Sequence, residues 1–247
     1  MNPTPAEEHI PPASHEARYA AENNADWHDA VYRANGRSGQ FRDGVWVSHD
    51  AAPPFFSNAV TTGPGPGAAQ GVAIDDLTAA RTNGFAVKDS FANLDLTSRG
   101  FRVLFTATWI WRDAAPAADI SGWQRIGDAA GLAKWEAALH SGLSPADGRA
   151  FPPATLTDPA LAFFALSRDG RIVSGAAANR SAECVGISNV FGADEPADVT
   201  MAAAAALAAA FAPGLPLAGY ESGAELDRAI RLGFRAVGPL RVWARGG

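Results

Sequence analysis

Glu221 stands where a carboxylate can do acid–base chemistry. It is the last residue of the apolar segment 215–221, "LPLAGYE", which we predict to be a strand. A carboxylate at the end of a strand can accept the proton of an amine, directly or through a water molecule. A solvent-exposed residue that ends the strand explains the same pattern, and the sequence leaves both interpretations open.

Two polar pairs interrupt apolar segments elsewhere in the chain. Ser188 and Asn189 lie within "ECVGISNVF" at 183–191, where they would either lie near a bound carbonyl group or stabilise a bulge in the strand. Lys88 and Asp89 are adjacent in "FAVKDSF", and we predict an ion pair there, on the surface or between two halves of the chain. Neither pair specifies a reaction.

The histidine and cysteine content argues against a metal site. The five histidines show none of the spacings typical of metal ligands, such as H-E-x-x-H. Cys184 is the only cysteine, which excludes an intrachain disulfide and a cysteine metal cluster. Its apolar neighbours predict a buried, unreactive thiol. We therefore expect no metal.

Composition limits the class of protein and its partners. The chain has 247 residues, 47% of them hydrophobic and 19% charged, which is typical of a folded globular protein. The net charge of −6 argues against a nucleic-acid partner. The longest apolar run, 199–211, is shorter than the roughly 20 residues of a membrane helix, and the first residues lack the pattern of a signal peptide. A cytoplasmic protein without a membrane partner is expected.

Apolar patterning and turn residues predict a chain of alternating helices and strands. Predicted helices cover 14–36, 72–84, 128–142, 198–212 and 225–233, and predicted strands cover 44–48, 53–62, 161–167, 171–178, 183–191, 215–221 and 234–245. Residues 1–13 are predicted to be a disordered tail. Two halves, 14–112 and 155–247, are joined by a helix and a Pro-rich linker at 113–154. This pattern predicts an α/β (α+β) fold with a mixed sheet flanked by helices.

Short matches between the two halves suggest an internal duplication. Four short motifs recur in both halves and in the same order: Ser-Asn, Leu-Asp, Gly-Phe-Arg and a tryptophan. The two matched occurrences of each motif are separated by 131 to 134 residues. In the second half, Gly233 ends an amphipathic helix and Phe234 begins a strand; the segment 94–111 repeats this arrangement. The two halves are predicted to pack pseudo-symmetrically, the first being the more degenerate.

The second half resembles the GCN5-related N-acetyltransferase (GNAT) superfamily. The resemblance rests on a three-stranded meander, a helix, a strand, a helix that ends in Gly233-Phe234, and a closing strand. It implies an acyl-CoA N-acyltransferase-like fold that moves an acetyl group from acetyl-CoA to an amine of a small molecule. It places the cofactor along the strand that contains "VGISNVF", with the backbone of Val190 and Phe191 holding the pantetheine.

The resemblance also implies the roles of individual residues. The cofactor-binding set is Ser188, Asn189, Val190, Phe191 and Gly192, followed by a helix whose N-terminus points at the phosphates. Glu221 is the predicted base. Phe55, Phe56 and Asn58 of the first half are the predicted substrate-binding residues. A homodimer is one option for the assembly.

The sequence departs from the family pattern in two places. The segment that matches the phosphate loop, "GADEPADVT" at 192–200, holds Asp194, Glu195 and Asp198, whose charges oppose a pyrophosphate. The helix 225–233 lacks the tyrosine that often protonates the leaving thiolate in this family. A non-catalytic ligand-binding or interaction module on the same fold is therefore the alternative function. A further option is catalysis in the first half alone, with "GPGPG" at 63–67 as its phosphate loop.

Overall fold

The computed structural model of the chain describes residues 14–65, 68–80, 84–113, 119–141, 148–192 and 196–246. The predicted tail 1–13 and the two acidic residues Asp194 and Glu195 lie outside these ranges. Among the described residues, no helix combines the length and the apolarity that crossing a membrane requires.

Eleven strands form one mixed sheet in the order β1-β2-β3-β4-β11-β5-β10-β9-β8-β7-β6. The strands are β1 (Gln40–Arg42), β2 (Val45–Val47), β3 (Ala59–Thr61), β4 (Phe85–Asp89), β5 (Arg102–Arg112), β6 (Trp123–Arg125), β7 (Leu161–Arg168), β8 (Arg171–Arg180), β9 (Val185–Gly192), β10 (Leu217–Glu221) and β11 (Arg235–Arg245). The helices are α1 (His15–Ala34), α2 (Ala68–Ala80), α3 (Ala129–Leu139), α4 (Ala197–Phe211) and α5 (Gly223–Arg231).

Local sequence signals account for the helix ends. Ser14 is the N-cap of α1, and its hydroxyl accepts a hydrogen bond from the Ala17 amide at 3.2 Å. After α5, Gly233 has φ 87°, the left-handed conformation that glycine adopts without strain, and the Phe234 amide donates to the Ala229 carbonyl. The α/β architecture is thus as the sequence predicts, with helix bounds shifted by a few residues.

Three strands escape the sequence prediction. β1 and β6 have only three residues each, too few for an alternating pattern to stand out. β4 contains Lys88 and Asp89, and both are buried. Charged residues are rarely buried, so this segment does not look like an interior strand.

The sheet has helices on both faces. Side chains alternate between faces along a strand. In β5, Ile110 packs in the α4 cluster, whereas Trp109 and Trp111 pack against α1. In β11, Trp243 packs in the α2 cluster and Val242 packs on the α1 side. Helices α2 and α4 therefore cover one face, and α1 covers the other. The connecting helix α3 joins α1 on that second face, in a cluster with Phe151 and Phe163 at its centre.

The two halves repeat one order of strands and exchange their last strands. Three antiparallel strands, a helix, a parallel strand and an 11-residue strand follow each other in both halves. β11 lies between β4 and β5, and β5 lies between β11 and β10, so the halves share one sheet. The β5–β11 ladder is itself symmetric: Arg235 pairs with Trp111, and Arg102 pairs with Ala244. A duplication as the origin of this arrangement stays a prediction.

Candidate functional site

The parallel strands β9 and β10 separate soon after they begin. Their ladder joins Val185 to Leu217 and Gly186 to Ala218 and contains no further pair among the described residues. β9 then continues to Gly192, while β10 continues to Glu221. The divergence lies along β9, the strand on which the resemblance to the GNAT superfamily places the pantetheine. It leaves backbone N–H and C=O groups of β9 without a neighbouring strand on the β10 side.

A bulge lies in β9 beside this opening. Ala177 of β8 pairs with Ser188, but Gly175 pairs with Phe191, so β9 holds one extra residue between these pairs. Asn189 has φ 51°, and its side-chain amide donates to the Ser188 hydroxyl at 3.0 Å. This contact favours the bulge-stabilising role of the polar pair, which was one of the two alternatives left open by the sequence.

The end of β9 meets the first turn of α4 closely. A Cβ atom on Gly192 would lie 2.7 Å from Thr200 Oγ1 and 3.2 Å from Ser174 Oγ, so only glycine fits here. Ser174 is fully buried, and its hydroxyl has no hydrogen-bond partner within the described residues. Pro196 precedes α4 and provides no side-chain cap, and its carbonyl accepts hydrogen bonds from the Val199 and Thr200 amides. The Ala197 and Asp198 amides are therefore the candidate partners of an anion at this helix end.

Asp198 does not stand alone at this helix end. Its carboxylate accepts a hydrogen bond from Arg228 Nε at 2.5 Å and lies 3.5 Å from Arg231 Nη2, both on α5. Arg228 also pairs with Glu225. The ion pairs offset the charge of Asp198, which reduces the repulsion that the sequence predicts between this residue and a pyrophosphate. Asp194 and Glu195 lie outside the described residues.

Glu221 ends β10 where the two strands have diverged. It pairs with Thr108 of β5 and is partly buried. Burial raises the pKa of the Glu221 carboxyl to about 7; the nearby Glu225 carboxylate adds to this rise and Arg228 opposes it. A carboxyl group with a pKa close to neutral pH can take up and release a proton under working conditions.

The matching position in the first half is closed. Ala59 pairs with Val87 and Val60 with Lys88, and the Asn58 amide donates to the Ala86 carbonyl at 2.8 Å. β3 ends at Thr61, one residue after its last pair with β4, whereas β9 runs six residues beyond its last pair with β10, so β3 and β4 form no comparable slot. The option of catalysis in the first half alone has no opening to act through.

In the first half, the equivalent of the base serves a structural role, as does Gly63 in the predicted phosphate loop 63–67, of which residues 66 and 67 lie outside the described ranges. Asp89 takes the place of Glu221, because Asp89 pairs with Arg241 as Glu221 pairs with Thr108. It is fully buried and accepts hydrogen bonds from the Asn93 and Leu94 amides. In the "GPGPG" loop, the Gly63 carbonyl accepts a hydrogen bond from the Gln70 side chain at 3.0 Å.

The three predicted substrate-binding residues do not share one surface. Asn58 is fully buried, and its side-chain amide donates to the Ser48 and Asp50 carbonyls at 3.2 and 2.8 Å. Phe56 is packed between Trp27 and Phe151 in the interior. Phe55 alone is exposed, at 67%, and stacks on His140. Asn58 therefore holds a turn, which corrects its expected role as a substrate ligand.

Two features of this region were not found from the sequence. A cleft of about 530 Å³ opens between α3 and the turn after β7, next to Phe191 and Gly192. It lies on the β8 side of β9, and Glu221 does not line it. The other feature is a contact between Lys88 and Tyr220, which lie 132 residues apart in the chain. Lys88 stood out as a charged residue in an apolar segment, but nothing in the pattern indicated its partner.

Within the described ranges, no group of three or more His, Cys, Asp or Glu side chains is arranged to hold a metal ion. The features that suit a ligand are instead the open edge of β9, the close approach of Gly192 to Thr200 and Ser174, and the start of α4, which has no side-chain cap. These features suit a long, thin arm that is joined to a phosphate group, so the residues present fit the pantetheine and pyrophosphate of acetyl-CoA.

Comparison with solved structures identifies the fold. A GCN5-related N-acetyltransferase from Kribbella flavida superposes with a TM-score of 0.62 at 17% identity, over 94% of this chain and 96% of that one. A GNAT-family protein from Novosphingobium aromaticivorans gives 0.57 at 18% identity, over 92% and 99%. A GCN5-related N-acetyltransferase-like protein from Streptococcus suis gives 0.51 at 15%, over 93% and 98%. No family model and no curated protein matches the chain.

Proposed function

The chain has the GNAT fold over nearly its whole length, and we propose that it is an acyltransferase that moves the acetyl group of acetyl-CoA to an amine of a small molecule. The observation that carries this proposal is the divergence of β9 from β10 after Gly186 and Ala218, with Glu221 at the end of the shorter strand. Two parallel strands that remained paired would offer no backbone groups to a ligand.

The residues of the second half would hold acetyl-CoA, which supplies an activated acetyl thioester. The backbone of Val190 and Phe191 is the proposed partner of the pantetheine, beside the bulge at Ser188 and Asn189. Gly192 allows the chain to pass close to Thr200, so that the first turn of α4 can present its N–H groups to the pyrophosphate. The ion pair of Asp198 with Arg228 supports this by offsetting the nearest described negative charge.

Glu221 is the proposed general base. The amine nitrogen forms a bond to the acetyl carbonyl carbon, the C–S bond breaks, Glu221 accepts the proton of the amine, and the CoA thiolate takes a proton from solvent. The chain has no tyrosine on α5 to supply that last proton. Because a free thiol has a pKa near 8.5, the thiolate is a fair leaving group without such help.

Calorimetry with acetyl-CoA tests the proposal directly. We expect saturable heat with acetyl-CoA and with free CoA, and release of free thiol when an amine is added. No binding of either molecule at millimolar concentration would contradict the proposal. Binding without thiol release over a broad panel of amines would favour the alternative, a non-catalytic ligand-binding module. A cytoplasmic location and a homodimer stay predictions from the sequence.

A further inference from the structure

The strand β5 is central in the sheet, yet its first half is exposed. β10 pairs with β5 from Arg112 to Thr108, where β10 ends at Glu221. No described strand pairs with the β10-side edge of residues 102–107. Val103, Leu104 and Phe105 are exposed by 45%, 57% and 40%. The result is an open strand edge with three consecutive apolar side chains, beginning next to Glu221.

The equivalent edge in the other half is contacted by the start of α1. β4 pairs with β11 only from Arg241 to Arg245, so the earlier residues of β11 would also be open. There, however, the start of α1 lies against the strand: the Ser14 hydroxyl donates to the Val237 carbonyl at 3.1 Å, and Ala17 packs against Gly238. Val237 is the bulge residue of β11, as Leu104 is of β5. Among the described residues, one of the two equivalent edges thus has a partner and the other has none.

We propose that the open edge of β5 binds the acceptor, and that this acceptor is a short peptide whose N-terminal α-amine is acetylated. This inference rests on the proposed acyltransferase function and specifies its substrate. A peptide on this edge would continue the line of β10, antiparallel to β5, with its first residue next to Glu221. Backbone hydrogen bonds would hold it by strand addition, and Leu104 and Phe105 would contact its side chains.

The length of the edge limits the occupant. Six residues of strand span about 20 Å. The bulge at Leu104 interrupts the regular ladder, and bulges of this kind discourage indiscriminate pairing of strand edges. A short, specific ligand therefore suits this edge better than the open-ended addition of further chains.

The test compares two peptides and a simple amine. One probe is alanyl-alanyl-alanine amide with a free N-terminus, another is the same peptide with both peptide nitrogens methylated, and the third is propylamine. We expect kcat/KM for the first peptide to exceed that for the other two by at least tenfold. Equal rates for the methylated and unmethylated peptides would overturn the inference, because methylation removes the N–H groups that strand addition needs.

A matched pair of variants locates the site. Leu104→Ala is expected to raise KM for the peptide at least fivefold without changing the acetyl-CoA affinity. Val72→Ala, which truncates a side chain of similar exposure on α2, is expected to change neither. An unchanged KM in Leu104→Ala would count against the edge as the acceptor site. A dimer in solution that Leu104→Asp dissociates would also overturn the inference, since a second copy would then occupy the edge.

Separate binding measurements distinguish this inference from the proposed function. Calorimetry with acetyl-CoA alone reports on the cofactor site, and calorimetry with the unmethylated peptide alone reports on the edge. Acetyl-CoA binding without any preference for the unmethylated peptide would leave the transferase intact and overturn the inference. Peptide binding that methylation abolishes, without acetyl-CoA binding, would support the edge as a peptide site and contradict the transferase.

Discussion

The Lys88 ammonium lies 4.4 Å from the centre of the Tyr220 ring and 3.4 Å from its hydroxyl oxygen. Lys88 is on β4 and Tyr220 is on β10, the equivalent strands of the two halves, with β11 and β5 between them. Lys88 also donates a hydrogen bond to Asn24 Oδ1 of α1 at 2.9 Å. The contact therefore joins the two halves across their exchanged strands, β11 and β5. The predicted ion pair of Lys88 with Asp89 is wrong, since the described contacts of Lys88 are with the uncharged side chains of Asn24 and Tyr220.

Lys88→Met is expected to destabilise the fold without disturbing its shape. Methionine keeps the volume but leaves the partly buried Asn24 and Tyr220 oxygens without the Lys88 donor; a buried unsatisfied group costs about 1–3 kcal/mol, and we expect a loss near the lower end of that range. Thermal or urea unfolding measures the change. Lys134→Met, at the only other lysine and an exposed one, is the control and should stay within about 0.5 kcal/mol of the parent protein. Equal stability of the two variants would contradict the role of Lys88.

Glu221→Gln is expected to lower kcat by about 10²- to 10⁴-fold, the usual contribution of a general base. The affinity for acetyl-CoA, measured by calorimetry, should not change, since the backbone of β9 is the proposed partner of that molecule. A loss of affinity equal to the loss of kcat would assign Glu221 a binding role instead.

The pH dependence provides an independent check on Glu221. Burial raises the pKa of its carboxyl from 4.5 to about 7, so kcat/KM should rise with pH through neutrality as the base loses its proton. The stability effect has the opposite sign. The folded state favours the protonated carboxyl, so this contribution is present below pH 4.5 and is lost as the pH rises through 7. Glu221→Gln should therefore unfold at a higher temperature than the parent at pH 8.

Gly192→Ala is expected to weaken acetyl-CoA binding at least tenfold, because the new methyl group meets Thr200 Oγ1 at 2.7 Å and pushes the first turn of α4 away from β9. Overpacking of this kind typically costs about 1–3 kcal/mol of stability. The double variant Gly192→Ala with Thr200→Ala removes the closest atom and should recover part of both losses. Calorimetry and thermal unfolding of the two variants and the parent protein complete the comparison; a double variant no better than the single one would refute the steric explanation.

Arg228→Gln is expected to weaken acetyl-CoA binding about fivefold, since it removes the shorter of the two ion pairs that offset the Asp198 carboxylate and leaves only Arg231, at 3.5 Å. The effect should shrink as salt is added, because both groups are near the surface. Arg18→Gln is the control: it removes an exposed ion pair with Glu22 on α1 and should not alter binding. Identical dissociation constants for the two variants at low salt would argue against an anion site at this helix end.

Cys184 is expected to resist alkylation in the folded protein. It is fully buried, and burial raises the pKa of its thiol to about 12, so almost no thiolate is present at neutral pH. Iodoacetamide should label it only after denaturation, as seen by mass spectrometry. Rapid labelling of the folded protein would show that the segment around β9 opens easily.

The sequence by itself determined the order of most helices and strands and the position of Glu221 at the end of β10. Apolar periodicity, the Ser14 cap and the glycine after α5 are local signals, so they predicted the helices well. The meander of β7, β8 and β9 and the position of Glu221 at the end of β10 follow from short-range patterns in the same way. The resemblance that predicted the GNAT fold also depends on this order.

Only the tertiary structure decided which neighbours these elements have. Strand pairing joins residues far apart in sequence, so the exchange of β5 and β11, the burial of Asn58 and the contact of Lys88 with Tyr220 left no local trace. The same reason accounts for the difference in strand pairing between the two halves. In the first half β3 and β4 remain paired, whereas β9 and β10 separate in the second; this difference depends on register between strands, which a single segment of sequence does not encode.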